Sequence, residues 1–180
     1  RQSELVKSKK KRNMTLHRKT PLKRTPFKKP APWEVKAKAQ EKKKAKAGLS
    51  KPALVKKLDK VFSEFIRLRD TKEWGFKYGR CISCGRILPW SKLQCGHYYS
   101  RTKMNTRFDE ENCNAECISC NIFSADHLIG YRKNLIKKIG EKEVAMLDIR
   151  AHQTKNYSLF ELQLLITHYE EEVKKLKDSL

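Results

Sequence analysis

Two Cys-x-x-Cys hooks, CISCG at 81–85 and CISCN at 117–121, present Cys81, Cys84, Cys117 and Cys120. Four thiolates are the complement of a closed tetrahedral zinc site. The 32 residues between Cys84 and Cys117 exceed the roughly 15–20 of a simple ribbon, so a further element is expected between the hooks. Gly85 is expected to close a tight turn around the first pair, where a side chain would obstruct the amides that bond to sulfur. Asn121 is different, because zinc binding alone does not require it. Between the hooks, His97 follows Gly96 and precedes Tyr98 and Tyr99 in a short strand-like run, and Asn112 lies five residues before Cys117. A histidine in a strand is ordinarily a hydrogen-bonded side chain. The flanking hooks and the asparagines single this one out, alone of the five in the chain, as a functional candidate. Cys95 and Cys113 remain. They are expected as small buried apolar side chains, with a soft-metal role for Cys95 beside His97 as the alternative.

The elements that must hold these residues are mostly helical. In ALVKKLDKVFSEFIRLRD, Leu54, Leu58, Val61, Phe62, Phe65 and Leu68 recur at steps of three and four, an amphipathic helix. Arg67 and Arg69 fall near its C-terminal end, where cations suit the dipole. A second helix is predicted over HLIGYRKNLIKKIG, with Leu128, Tyr131, Leu135, Ile136 and Ile139 on one side and Gly140 as its stop. EKEVAMLDIR continues as a third helix. The last helix opens with Ser158 and Glu161 spaced as a capping box. Its stripe of Leu159, Leu162, Leu165, Ile166, Tyr169, Val173 and Leu176 reads as core, with a dimer seam as the alternative.

The 180 residues suffice for one domain and a tail, and only 38% are hydrophobic. The formal charge is +22, and most of it lies in residues 1–51, which hold 19 Lys/Arg against Glu4, Glu34 and Glu41. Within that stretch the five-residue repeat TPLKR–TPFKK and the Lys/Ala-rich KAKAQEKKKAKA suggest a largely disordered basic tail. Charge on this scale predicts a polyanionic partner. Nucleic acid fits better than membrane, since no run approaches the ~20 apolar residues of a spanning helix. With no apolar signal segment, a cytoplasmic location is expected, where thiols stay reduced and metal binding outranks disulfides.

The order His, then Asn-x-x-x-x-Cys-x-x-Cys-Asn, resembles the HNH group of ββα-metal nucleases. More closely, FIRLRD, CISCG, GHYYSR, RFDEEN, CISCN and YRKNLIKKIG, spread over about residues 54–150, resemble the lambdoid phage NinG (Rap) recombination protein family. That resemblance implies an α+β fold: a small zinc-stapled ββα-metal core over about 78–125, inside a domain of 52–180 with helical flanks. It implies a phage- or prophage-encoded endonuclease acting on branched recombination intermediates in the bacterial host. His97 would be the general base, Asn112 would orient the loop carrying it, and Asn121 would hold a catalytic Mg²⁺ or Mn²⁺. Arg101, Lys103, Arg107, Arg67 and Arg69 would contact DNA. The chain departs from the pattern in three places. An acid usually directly precedes the base histidine, and here that residue is Gly96. The family pattern has an Asp three residues before the His and a His two residues after the central Asn, where this chain has Gln94 and Asn114. Asn114 or Asp109 is therefore expected as the second protein ligand of the catalytic metal, with water and phosphate completing it.

Other functions are compatible with the same residues. A non-catalytic zinc module would bind DNA through the tail and need the hooks but not His97 and Asn121. An HNH nickase in phage DNA packaging would keep the chemistry and change the task. Two symmetric cuts at a junction favour a homodimer by C2 logic.

Overall fold

The computed structural model describes residues 48–179, together with Ala31 and Lys36. The predicted basic tail, 1–51, lies almost wholly outside these residues. Helix α1 (Lys51–Thr71) starts at Ser50, with Pro52 in its first turn, where a missing N–H costs nothing. Its apolar positions bury Leu54, Leu58, Phe62, Phe65, Ile66 and Leu68. The partner surface comes from the far end of the chain. Helix α4 (Leu159–Asp178) buries Leu162, Ile166, Tyr169 and Val173, and the two stripes share one core. Tyr169 meets Phe62 edge-on, with ring centroids 4.8 Å apart. The capping box forms as expected, with Ser158 N–H donating to Glu161 Oε2 at 2.8 Å and Glu161 N–H to Ser158 Oγ at 3.1 Å. The stripe of α4 thus packs as core within the chain, although Leu159 stays half exposed.

Between these helices lie two antiparallel pairs of short strands. Strands β1 (Tyr78–Arg80) and β2 (Ile87–Pro89) pair around the first hook. Strands β3 (Leu93–His97) and β4 (Cys113–Cys117) pair in the register Leu93↔Cys117, Gln94↔Glu116, Cys95↔Ala115, Gly96↔Asn114, His97↔Cys113. This pair is the element expected between the hooks, and it carries His97 on its last residue. Alternation along a strand divides the side chains. Cys95 and Cys113 join the α1–α4 core, so His97 belongs to that face. Gln94 and Glu116 belong to the other.

The other face receives helix α2 (His127–Ile139), which with α3 (Glu141–His152) forms a second small core of Tyr131, Leu135, Val144 and Leu147. The buried Tyr131 hydroxyl lies 3.1 Å from the carbonyls of both Gly96 and Asn112, which fixes α2 on the strand pair. The fold is α+β. The second hook leads into a helix only after an irregular turn. Ser119–Phe123 is a π-helical turn and α2 begins only at His127. Such turns are rare and concentrate at functional sites. Among the described residues no helix is long and apolar enough to cross a membrane.

Candidate functional site

The four hook cysteines converge. Their Sγ atoms all lie within 4.8 Å of one another, and Cys84 and Cys117 are 3.9 Å apart. A tetrahedron with Zn–S bonds of ~2.3 Å has edges of about 3.8 Å, so the four thiols are gathered close to the spacing a zinc ion needs. Local hydrogen bonds hold the first hook, since Cys81 N–H donates to Arg86 O at 2.8 Å and Gly85 N–H to Cys81 O at 2.9 Å. Gly85 adopts φ +74° with nothing within 4 Å of a would-be Cβ. Its glycine is needed for backbone conformation and not, as expected from sequence, for space. Burial raises the Cys81 thiol to about 11. Burial acts the same way on Cys84, but Arg86 overrides it and brings that thiol down to about 6. Arg86 reaches two sulfurs at once, with Nε donating to Cys84 Sγ at 3.3 Å and an NH₂ group to Cys117 Sγ at 3.7 Å. Sequence inspection missed this residue; a cation immediately after the hook's glycine was the available signal.

His97 stands at the mouth of the loop that joins β3 to β4. Its Nε2 is 3.2 Å from the carbonyl oxygen of Arg107. A carbonyl only accepts, so Nε2 carries the proton and Nδ1 the lone pair. Burial, helped by the charge of Arg101, pushes the imidazole down to about 4, so the ring is neutral near pH 7. Asn112 is fully buried and clasps the same loop. Its Oδ1 accepts from Tyr99 N–H at 2.7 Å, and Nδ2 donates to Tyr99 O and Thr106 O, each at 2.9 Å. These bonds tie Asn112 to both ends of the loop that follows His97. Cys95 and Cys113 are buried beside His97, and the three ligand atoms lie within 4.8 Å of one another. Burial raises the Cys113 thiol well above its ordinary range, and it donates to the Arg107 carbonyl at 3.7 Å. It stays a thiol in an apolar core.

Asn121 sits on the opposite face. Its Nδ2 donates to Gln94 Oε1 at 2.8 Å, leaving its own Oδ1 without a hydrogen bond among the described residues. The two expected companion ligands are engaged in other contacts. Asn114 Oδ1 receives Lys138 Nζ at 2.7 Å and Arg69 at 3.4 Å, while its Nδ2 donates to Tyr131 at 3.2 Å. An oxygen already facing two cations is a poor ligand for a third. Asp109 pairs with Arg150 at 3.0 Å and accepts from Glu111 N–H at 2.9 Å. Both are braces of the fold.

The expected DNA contacts divide in the same way. Arg69 donates to Asp70, Glu110 O and Cys113 O, each at 2.9 Å, and ties α1 to β4. Arg107 forks onto Asp59 at 2.9 and 2.5 Å. Arg67 lies 4.1 Å over the Trp90 ring. These three guanidiniums are occupied inside the protein, whereas Arg101 and Lys103 are exposed, with no side-chain bond among the described residues. A separate cleft of about 750 Å³ is lined by Arg69, Arg80, Lys137 and Lys138, with Asn114 at its wall.

A family model described as "Bacteriophage Lambda NinG protein" matches residues 2–179. Among curated proteins, "Protein ninG" of Escherichia phage 933W is 29% identical over 126 residues, which is 69% of this chain and 59% of that protein. "Protein ninG" of Escherichia phage lambda is 28% identical over 126 residues and 58% of its length. "Protein ninG" of Salmonella phage P22 is 29% identical over the same number of residues and 58% of its length. The chain thus spans less than two thirds of these relatives. No solved structure matches.

Proposed function

This chain belongs to the NinG family, and from that premise we propose that it is a metal-dependent HNH-type endonuclease cutting branched or partly single-stranded DNA. It would act on recombination intermediates in the cytoplasm of an infected or lysogenic bacterium. The observation that carries this is the state of His97. A neutral imidazole, held through Nε2 on the Arg107 carbonyl in a loop clasped by Asn112, keeps Nδ1 as a proton acceptor. A general base needs that geometry first and the protonation state second.

In the proposed reaction Nδ1 of His97 takes a proton from the attacking water. Asn121 Oδ1 is an unshared hard oxygen, the donor type that Mg²⁺ or Mn²⁺ prefers. Such an ion, when bound, would supply charge compensation at the scissile phosphate. The four hook thiolates would hold a zinc ion, which would anchor the π-helical turn that carries Asn121 directly after Cys120. Arg101 and Lys103, and the cations of the cleft lined by Arg80, Lys137 and Lys138, would meet backbone phosphates and fix register without reading sequence.

A second reading, a zinc module that binds DNA without cutting, draws support from the placement of His97 and Asn121 on opposite faces of the strand pair. Purified protein with labelled four-way junction, flap and linear duplex, with and without Mg²⁺, separates the two. Mg²⁺-dependent cutting of the branched substrates, lost in His97→Ala, is the expected result. Tight binding with no cutting in any metal would leave the binding module.

A further inference from the structure

With Asn114 and Asp109 committed elsewhere, Asn121 would hold a divalent ion as a single protein oxygen, and the face it occupies contains a second one. Glu116 lies in the middle of β4, fully buried and opposite Gln94 in register. One carboxylate oxygen, Oε1, accepts from Ser83 Oγ and from His127 Nδ1, the latter at 2.8 Å. The other, Oε2, is buried with no partner among the described residues. A buried carboxylate oxygen without donor or cation is unfavourable and calls for an explanation. Its position is specific. A Cβ on Gly96 would collide with Oε2 and lie 2.7 Å from Glu116 Cβ, so the oxygen fills the side-chain space of the residue directly before His97. Gln94, facing Glu116 across the ladder, is the residue that Asn121 touches at 2.8 Å. The contact pairs Asn121–Gln94 and Glu116–His127 therefore lie on the same face, with Gln94 and Glu116 opposite each other in register.

We propose that Glu116 Oε2 is the carboxylate ligand of the divalent-cation site, acting with Asn121 Oδ1. Gln94 is the positioning residue that turns the Asn121 amide so its oxygen is free. Ser83 and His127 hold the Glu116 carboxylate from behind. An all-oxygen donor set selects a hard ion, Mg²⁺ or Mn²⁺, and leaves the thiolate tetrad to zinc. The site deepens the nuclease proposal and rests on it for its purpose, while its geometry stands independently.

The test uses the full zinc-loaded chain and Mn²⁺ as probe. In the parental protein, Mn²⁺ is expected to broaden the side-chain amide NMR signals of Gln94 and Asn121 before those of Asn114 and Asn134. Glu116→Gln is expected to weaken Mn²⁺ binding at least tenfold in an EPR titration, with zinc content unchanged. The double variant Glu116→Gln/Gln94→Glu returns a carboxylate to the same face from the opposing strand and is expected to recover binding. A purely structural Glu116 would not be rescued this way, because Gln94 makes no bond to Ser83 or His127 among the described residues. Equal Mn²⁺ affinity in parent and Glu116→Gln overturns the assignment. So does a parental spectrum in which Gln94 and Asn121 ignore Mn²⁺, a measurement that needs no variant to fold. If that spectrum is silent while the protein still cuts junctions with Mg²⁺, the cation site at Asn121 and Glu116 falls and the nuclease reading stands. If the amides respond and no DNA is cut, the cation site stands and the nuclease reading falls.

Discussion

His97 Nε2 and the Arg107 carbonyl, 3.2 Å apart, fix which nitrogen of the imidazole is basic. They also bind the ring to the loop that would receive DNA, since Arg107 is itself forked onto Asp59 of α1.

The pH dependence of stability follows from that burial. The imidazole sits at about 4 in the folded chain and near 6.5 when unfolded. Between those values the unfolded state binds the extra proton, so His97 favours folding above about pH 6.5 and loses that contribution as pH falls towards 4. Denaturation curves taken from pH 7 to pH 4.5 should show the parental protein losing more stability than His97→Gln. Parallel curves would contradict the burial of a neutral ring.

Removing the base should cost catalysis alone. His97→Ala is expected to lower cleavage by ~10²–10⁴, the usual worth of a positioned base, while keeping zinc and junction binding. Asn121→Ala should also abolish cutting, whereas Asn121→Asp keeps an oxygen ligand and retains part of it. Single-turnover rates on a four-way junction measure both. Parental rates in the two alanine variants would move the active site elsewhere.

Zinc should be integral to folding. One Zn²⁺ per chain is expected, and Cys117→Ser or chelation should unfold the central region, because structural zinc carries ~10–16 kcal/mol in small zinc peptides. Arg86→Ala removes a cation that touches two of the sulfurs and should weaken zinc by about 10–100-fold. Competition with a chromophoric chelator reads this directly.

Asn112→Ala strips three hydrogen bonds from the loop. Leaving their backbone partners unmatched should cost about 2–4 kcal/mol. The remaining folded protein should show a lower kcat with KM little changed, since the loop presents the base and not the substrate. A fall confined to KM would assign Asn112 to binding.

DNA affinity should come from the free cations. Arg101→Ala and Lys103→Ala are each expected to reduce the salt slope of binding by about one, while Arg69→Ala destabilises the fold instead, because its guanidinium spans α1 and β4. Deleting residues 1–47, with their basic excess, should weaken all DNAs alike and flatten the salt dependence. Filter binding at ~50 and ~200 mM salt reports each change.

Much of this was legible because it is local. The three- and four-step stripe of α1, the Ser158–Glu161 cap and the paired hooks are patterns within a few residues, and the structure forms each of them. What escaped was register. That Gln94 faces Glu116 depends on how two strands pair across a long loop, and an acid in the middle of β4 looks like any alternating polar position. The arginines misled for a related reason. Sequence shows a cation but not the Asp59 or Asp70 that folding brings against it. The π-helical turn at Ser119–Phe123 has no propensity signature that the sequence displays.

The pairing of α1 with α4 sets an order for synthesis. A ribosome delivers Cys81 to Cys120 well before Leu162, Ile166 and Val173 leave the exit tunnel, and contacts between distant segments wait for their later half. Until then the apolar stripe of α1 is covered only where Cys95, Phe108 and Cys113 reach it. The thiolate hooks are already complete, so metal capture during translation would organise the middle of the nascent chain while its first helix still depends on a chaperone or on the emergence of the last.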